Sequence, residues 1–279
     1  MDHCIVIATG ETKTSVYECQ YALLSYLSIY NLNPPASIRL LVYTNQPAAF
    51  EAYTTLLPTL EMKEYVYQSK LDMIQEAMDM YDGNIIYCDS DTYPYLPLEP
   101  LLKHISDQKL ITLLNDAGVH ETPVHSIEAI KNHLGPVEGN TSLLPAALNK
   151  NVAVIGISSS ELHFIQKCQT IANSLQGQLP RNLSINLAIQ KTATIHSRES
   201  HWEYFKHYHQ SIASKELISY FFQHNEEESI PNLVKLIHLF DLDQVEQEYI
   251  SYSKQPFYKR WLANVLGIGW SLDKYKKKL

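Results

Sequence analysis

The chain has 279 residues, 45% hydrophobic and 19% charged, with a formal net charge of −8. That length suits one large α/β domain, or one domain with a helical annex. The acidic balance argues against a general nucleic-acid binder. No apolar run approaches the roughly 20 residues of a membrane span. Met1-Asp2-His3 leads straight into a strand-like CIVIA, so no N-terminal leader is expected. Cys4, Cys19, Cys88 and Cys168 form no CxxC pair and read as reduced, mostly buried thiols of a cytoplasmic protein. The charge is unevenly spread. From Lys254 onward there are seven Lys/Arg and one Asp, +6, so residues 1 to 253 sum to −8 − 6 = −14.

In chain order, His3 to Ala8 reads as a buried strand, and Thr9-Gly10-Glu11 as its turn into a helix. Ser15 to Tyr30 is that helix, with a broad apolar arc, stopped by Asn31, Asn33, Pro34 and Pro35. Ile38 to Tyr43 is a second apolar strand closed by Thr44-Asn45, completing a βαβ unit with its ligand edge at these two turns. A short helix is expected over Pro47 to Thr55 and a third strand over Met62 to Tyr67. Ser69, with Asp72 three residues on, is a capping-box-like helix start. Asp82-Gly83 ends that helix, and Ile85 to Cys88 is the next strand. Leu98 to Ile105 reads as helix and Leu110 to Leu114 as a strand ending at Asn115-Asp116. Gly118 to Asn149 is long for a loop in a compact domain and suits an acceptor-binding insertion.

Val152 to Ile157 is again a strand, and Ser158 and Glu161 start a helix reaching Leu175. Asn182 to Gln190 reads as helix and Thr192 to His196 as a short strand. Strands are expected to stop there. Four helices follow, near Ile212 to Phe222, Pro231 to Phe240, Asp243 to Ser251 and Phe257 to Leu266. The chain thus divides into an α/β unit over residues 1–210 and a helical extension with a basic tail over 211–279.

The chemistry concentrates at Asn84 to Pro100, NIIYCDSDTYPYLPLEP. A buried strand there delivers Asp89 and Asp91 to its C-terminal end, where open α/β sheets bind ligands. Two carboxylates one residue apart repel unless a cation or solvent lies between them. Oxygen ligands of this kind suit Mg²⁺ or Mn²⁺ better than zinc. The plainer alternative is a turn cap before Pro94. Lys70, at the start of the preceding helix, is placed on the same side of the sheet as the carboxylates. It is either a phosphate or sugar contact or a solvated surface lysine.

IVIATGE, SKLDMIQEAM, IIYCDSDTY, NVAVIGIS and KHYH, in this order over about residues 3 to 210, resemble nucleotide-sugar glycosyltransferases of the GT-A fold, family 8-like, of the bacterial surface-polysaccharide type. The resemblance implies a Rossmann-like mixed, mainly parallel sheet flanked by helices, with a C-terminal helical annex. It implies a UDP-sugar donor and Mn²⁺ or Mg²⁺ held by Asp89, Asp91 and His207, with His209 as the alternate. Donor contacts would come from Ala8, Thr9, Glu11, Lys70, Ser90 and Asn151, and Asp116 would touch sugar hydroxyls or the acceptor. The acceptor would be a glycan or lipid-linked saccharide. Relatives usually read Asn-Ala-Gly where this chain has Asn151-Val152-Ala153, and an acidic residue before Gln where it has Ile185-Asn186.

Two other readings stand beside this one. A non-catalytic nucleotide-sugar-binding protein would keep the pocket without turnover. A haloacid-dehalogenase-type phosphatase also uses two aspartates after a strand, but Thr92 and Tyr93 break its spacing. The histidines at 196, 201, 207 and 209 lack the cysteines or helical spacing of a zinc site. Trp261 to Trp270, followed by Lys274, Lys276, Lys277 and Lys278, suits either a docking helix with a solvated tail or peripheral contact with an anionic membrane at its cytoplasmic face.

Overall fold

The computed structural model describes residues 2–65, 69–108, 110–115, 151–175, 184–185, 188, 204–207, 212–239, 241–266 and 269–277. A six-stranded sheet in the order β3-β2-β1-β4-β7-β6 forms the middle layer. Its strands are β1 (His3–Ala8), β2 (Ile38–Tyr43), β3 (Leu60–Lys63), β4 (Ile85–Asp89), β6 (Leu110–Asn115) and β7 (Asn151–Ile157). β1 to β4 are parallel; β7 runs antiparallel to both β4 and β6, so β6 rejoins the parallel direction. The sheet is therefore mixed and mainly parallel, as expected.

Alternation along the strands sorts the core into two layers. Ile5 and Ile7 of β1 face α1 (Lys13–Ile29), while Cys4 and Val6 face α3 (Lys70–Met80) and α5 (Leu162–Leu175). Both faces are buried, which is why these strands read as continuous apolar runs. The breadth of the apolar arc on α1 has a similar cause. Its outer side packs on the C-terminal helices α6 (Ile212–His224) and α7 (Ile230–Leu236), with Tyr17 stacked on Phe222 at 5.1 Å. Asn31 and Leu32 then adopt left-handed backbone, and Leu32 N–H donates to Leu27 O, closing the helix. All four cysteines are free and buried.

Ser69 and Asp72 form the full reciprocal capping box at the start of α3. α2 (Glu51–Thr54) follows a 3₁₀ turn at Pro47–Phe50, and α4 is Glu99–Gln108. The strand expected over Met62 to Tyr67 sits earlier, at Leu60–Lys63, because its pairing with β2 is set by Leu40 opposite Leu60. The expectation that strands stop near residue 196 is overturned. β8 (Phe205–His207) pairs antiparallel with β5 (Thr92–Pro94) in a two-stranded ribbon that the proline-rich composition concealed. The described C-terminal helices continue with α8 (Leu242–Ser253), α9 (Phe257–Val265) and α10 (Asp273–Lys276), the last unforeseen. Gly118 to Asn149, Thr192 to His196 and most of Asn182 to Gln190 lie outside the described residues.

The turn between α3 and β4 is tied to the N-terminus. A Cβ on Gly83 would sit 2.4 Å from the Asp2 carbonyl oxygen, a backbone atom that cannot swing aside. Gly83→Ala should therefore cost about 1–3 kcal/mol, read as a lower urea midpoint. Beside it, the Asn84 N–H donates to His3 Nδ1 at 3.0 Å, a bond only the neutral ring accepts. Burial is the main cause that holds the His3 ring below its ordinary pKa. The unfolded chain then takes up the proton first, so this contribution is complete above about pH 6.5 and is lost as pH falls further. Urea midpoints from pH 7.5 to 5 should fall, and His3→Gln should flatten the drop.

Candidate functional site

Parallel register brings the candidate positions of several strands into one row at one edge of the sheet. Ala8, the last residue of β1, lies opposite Tyr43 on one side and Asp89 on the other. β7 is antiparallel, so its first residue, Asn151, reaches this same edge and pairs with Asn115 at the end of β6. The loop after β1 is anchored beside them, since Thr9 N–H donates to Tyr43 O at 2.9 Å and Thr9 is buried. Gly10 and Glu11 are exposed beyond it. A cavity of about 530 Å³ opens here between Glu11, Thr44, Asn45, Met62, Lys63 and Tyr65. Ala8, Thr9, Glu11, Asp89 and Asn151 thus share one edge, with Ser90 in the turn directly after Asp89.

Asp89 is held in place. Lys70 Nζ donates to its Oδ1 at 3.3 Å, and Tyr87 OH donates to the same oxygen at 3.1 Å. Lys70 is the first residue of α3, so the capping box that starts that helix also aims its lysine at the carboxylate. The Lys70 side chain is buried and lies 5.5 Å from the Tyr87 ring centre. Lys70 is therefore a buried ion-pair partner of Asp89, which neither of its two sequence readings had foreseen. Burial, followed by the Asp89 charge, pushes the Tyr87 hydroxyl well above its ordinary pKa, so it remains a donor.

Asp91 turns toward the opposite layer. Its Oδ2 lies 3.9 Å from Lys215 Nζ on α6, and the same ammonium is 3.5 Å from Glu18 Oε1 on α1. Both carboxylates are nearly inaccessible to solvent. Each aspartate of the pair thus has a lysine from a different helical layer as its neighbour. Sequence reasoning missed Glu18 and Lys215. An acid inside the apolar arc of Ser15 to Tyr30 was the available signal for Glu18; Lys215 carried none. Also unforeseen is a network at the ends of β2 and β3, where Tyr43 OH donates to Glu76 Oε2 at 2.6 Å and Lys63 pairs with Glu76. Burial and then Glu76 push the Tyr43 hydroxyl upward.

The β5–β8 ribbon sets His207 across from Thr92, one residue beyond Asp91, by backbone pairing. Its side chain, His209 and Asp116 lie outside the described residues. Among the described residues no group of three His, Cys, Asp or Glu side chains converges as metal ligands. Ile185 is buried in the core layer that also holds Ile165 and Cys168.

No family model matches the chain, and no curated protein matches it. Solved structures align with it loosely. One designated a glucose-1-phosphate thymidylyltransferase from Bacillus anthracis, with sucrose, covers 78% of this chain and 95% of its own, at 11% identity and TM-score 0.46. The glycosyltransferase GlyE of Streptococcus pneumoniae TIGR4 covers 91% and 64%, at 12% identity and 0.46. An active-site mutant of LgtC covers 77% and 94%, at 12% and 0.43. Likeness at this level bears on neither chemistry nor substrate.

Lys215→Met would strand Glu18 and Asp91 as buried carboxylates without this cation. Breaking buried pairs costs several kcal/mol, and with a third of Lys215 exposed we expect a loss of about 2 kcal/mol. Adding Glu18→Gln should recover part of it in urea denaturation. An unchanged midpoint in the single variant would remove the network from the stability account.

Proposed function

We propose that this protein is a glycosyltransferase moving a sugar from a UDP-sugar to a glycan or lipid-linked saccharide. The observation that supports the reading is the gathering of Ala8, Thr9, Asp89 and Asn151 on one sheet edge, beside a cavity lined partly by Glu11. Such edges, at the carboxyl ends of parallel strands, are where open sheets take nucleotides. Residues 1–210 form the catalytic unit in this reading, and 211–279 a helical extension. The protein works in the cytoplasm, with its basic C-terminal segment in peripheral contact with the inner face of the membrane.

Two carboxylates and one imidazole are, by donor type, ligands a hard divalent cation would accept. Asp89 is about one-fifth exposed at the edge, so one carboxylate oxygen can turn to a ligand while the other keeps Lys70 and Tyr87. Asp91 lies beyond hydrogen-bond distance of Lys215, and His207 is carried to the same turn by the ribbon. Asp89, Asp91 and His207 would hold Mn²⁺ or Mg²⁺, which supplies Lewis-acid stabilisation to the departing diphosphate. Lys70 fixes the Asp89 carboxylate and lowers the local negative charge. Ser90 and Asn151 orient the donor, and Asp116 contacts sugar hydroxyls or the acceptor.

A second reading, nucleotide-sugar binding without turnover, draws on Ile185, a buried core residue at the position where the resemblance implies a carboxylate. The two readings part in an assay. Incubation with a panel of UDP-sugars and Mn²⁺ should release UDP, and Asp91→Asn should abolish release while far-UV circular dichroism shows the chain still folded at the assay temperature. Binding of UDP-sugars without release or transfer would favour the second reading.

A further inference from the structure

We propose that α9 (Phe257–Val265) is a membrane-docking element whose apolar face is covered by an anionic lipid bilayer. The proposal deepens the peripheral contact suggested above by assigning it to one helix, one face and one lipid class. At 100° per residue, Phe257, Tyr258, Trp261, Leu262 and Val265 occupy one half of the helix. Lys259, Arg260, Ala263 and Asn264 occupy the other.

A helix of a folded protein normally turns its apolar half inward. Here the arrangement is inverted. Asn264 Oδ1 accepts from Tyr252 OH at 2.7 Å and lies where a Cβ on Gly269 would be, so the helix meets the protein along Arg260, Ala263 and Asn264, of which Arg260 and Ala263 are partly buried, while Lys259 stays exposed. Arg260 is partly buried on that side, with its backbone carbonyl 3.4 Å from the same hydroxyl. The apolar half faces outward, with Phe257 75%, Trp261 57% and Val265 63% exposed, and no residue of the helix is buried. Leu266 continues the exposed face past the helix end.

Charge selects the occupant. Residues 254–279 carry +6 on a chain whose remainder carries −14, so an anionic surface repels most of the protein and attracts this segment. Lys254, Lys259 and Lys277 are exposed on α9 or its flanks, whereas Lys274 pairs with Glu248. Aromatic and aliphatic side chains on one face with lysines around them are the composition of a helix lying in the bilayer interface. A second copy of the chain would instead bring two segments of like charge together.

The test is co-sedimentation of the full chain with vesicles of phosphatidylglycerol and phosphatidylcholine, against phosphatidylcholine alone, without nucleotide or sugar. The wild type should pellet with the anionic vesicles and at least tenfold less with the neutral ones. Combined Trp261→Ser, Leu262→Ser and Val265→Ser should weaken binding at least tenfold with an unchanged melting transition. Lys254→Glu, Lys259→Glu and Lys277→Glu together should do the same. No wild-type binding, or full binding by the triple-serine variant, would overturn the proposal. So would a wild-type dimer in lipid-free buffer that the serine variant dissociates, since a second copy would then cover the face. None of these outcomes alters UDP binding, so failure here is separable from failure of the transferase reading.

Discussion

Everything at the candidate site depends on β1 being paired in parallel with both β2 and β4. The pairing puts Ala8 in one row with Tyr43 and Asp89, so three loops leave the sheet side by side. A slip of one residue would carry Ile5 and Ile7 to the α3 side and Cys4 and Val6 to the α1 side, exchanging two well-filled core layers. The register is therefore fixed by packing on both faces, and the row of candidate positions follows from it. The helix α3 enters from the same edge, which brings its first residue, Lys70, onto Asp89.

The turn Asp89-Ser90-Asp91 sits between two cationic side chains supplied from opposite sides. Lys70 belongs to α3 on one layer and Lys215 to α6 on the other. Glu18 joins from α1, so the position of the C-terminal helices is tied electrostatically to the acidic turn. In a low-dielectric setting such contacts are costly to break singly, because each leaves a buried charge behind. The C-terminal helices thus share a core and an ion network with the sheet. In the transferase reading, a shift of α6 would be felt at Asp91 and the diphosphate it helps to bind.

Much of this was legible in local sequence. Continuous apolar runs marked β1, β2 and β4, and Ser69 with Asp72 marked the start of α3, because each signal depends only on neighbours along the chain. Placing Lys70 beside Asp89 needed only the order helix then strand. What escaped was set by distant partners. Thr92 to Pro94 is a strand solely because Phe205 to His207 lies against it, and three residues containing a proline show no period. Glu18 and Lys215 are 197 positions apart and meet only through the packing of α6 on α1. The amphipathic pattern of Phe257 to Leu266 was readable, but not which half would face inward; the contacts of Asn264 decide that.

The central claim is that Asp89 lies at a metal-assisted binding site for the diphosphate of a UDP-sugar. It is tested most directly by calorimetric titration of UDP with and without Mn²⁺, on the wild type and on Asp89→Ala. Micromolar-range binding (on the order of −8 kcal/mol) that requires both Mn²⁺ and Asp89 is the predicted result. Equal binding by Asp89→Ala, or no binding by the wild type with Mn²⁺ present, would contradict the claim.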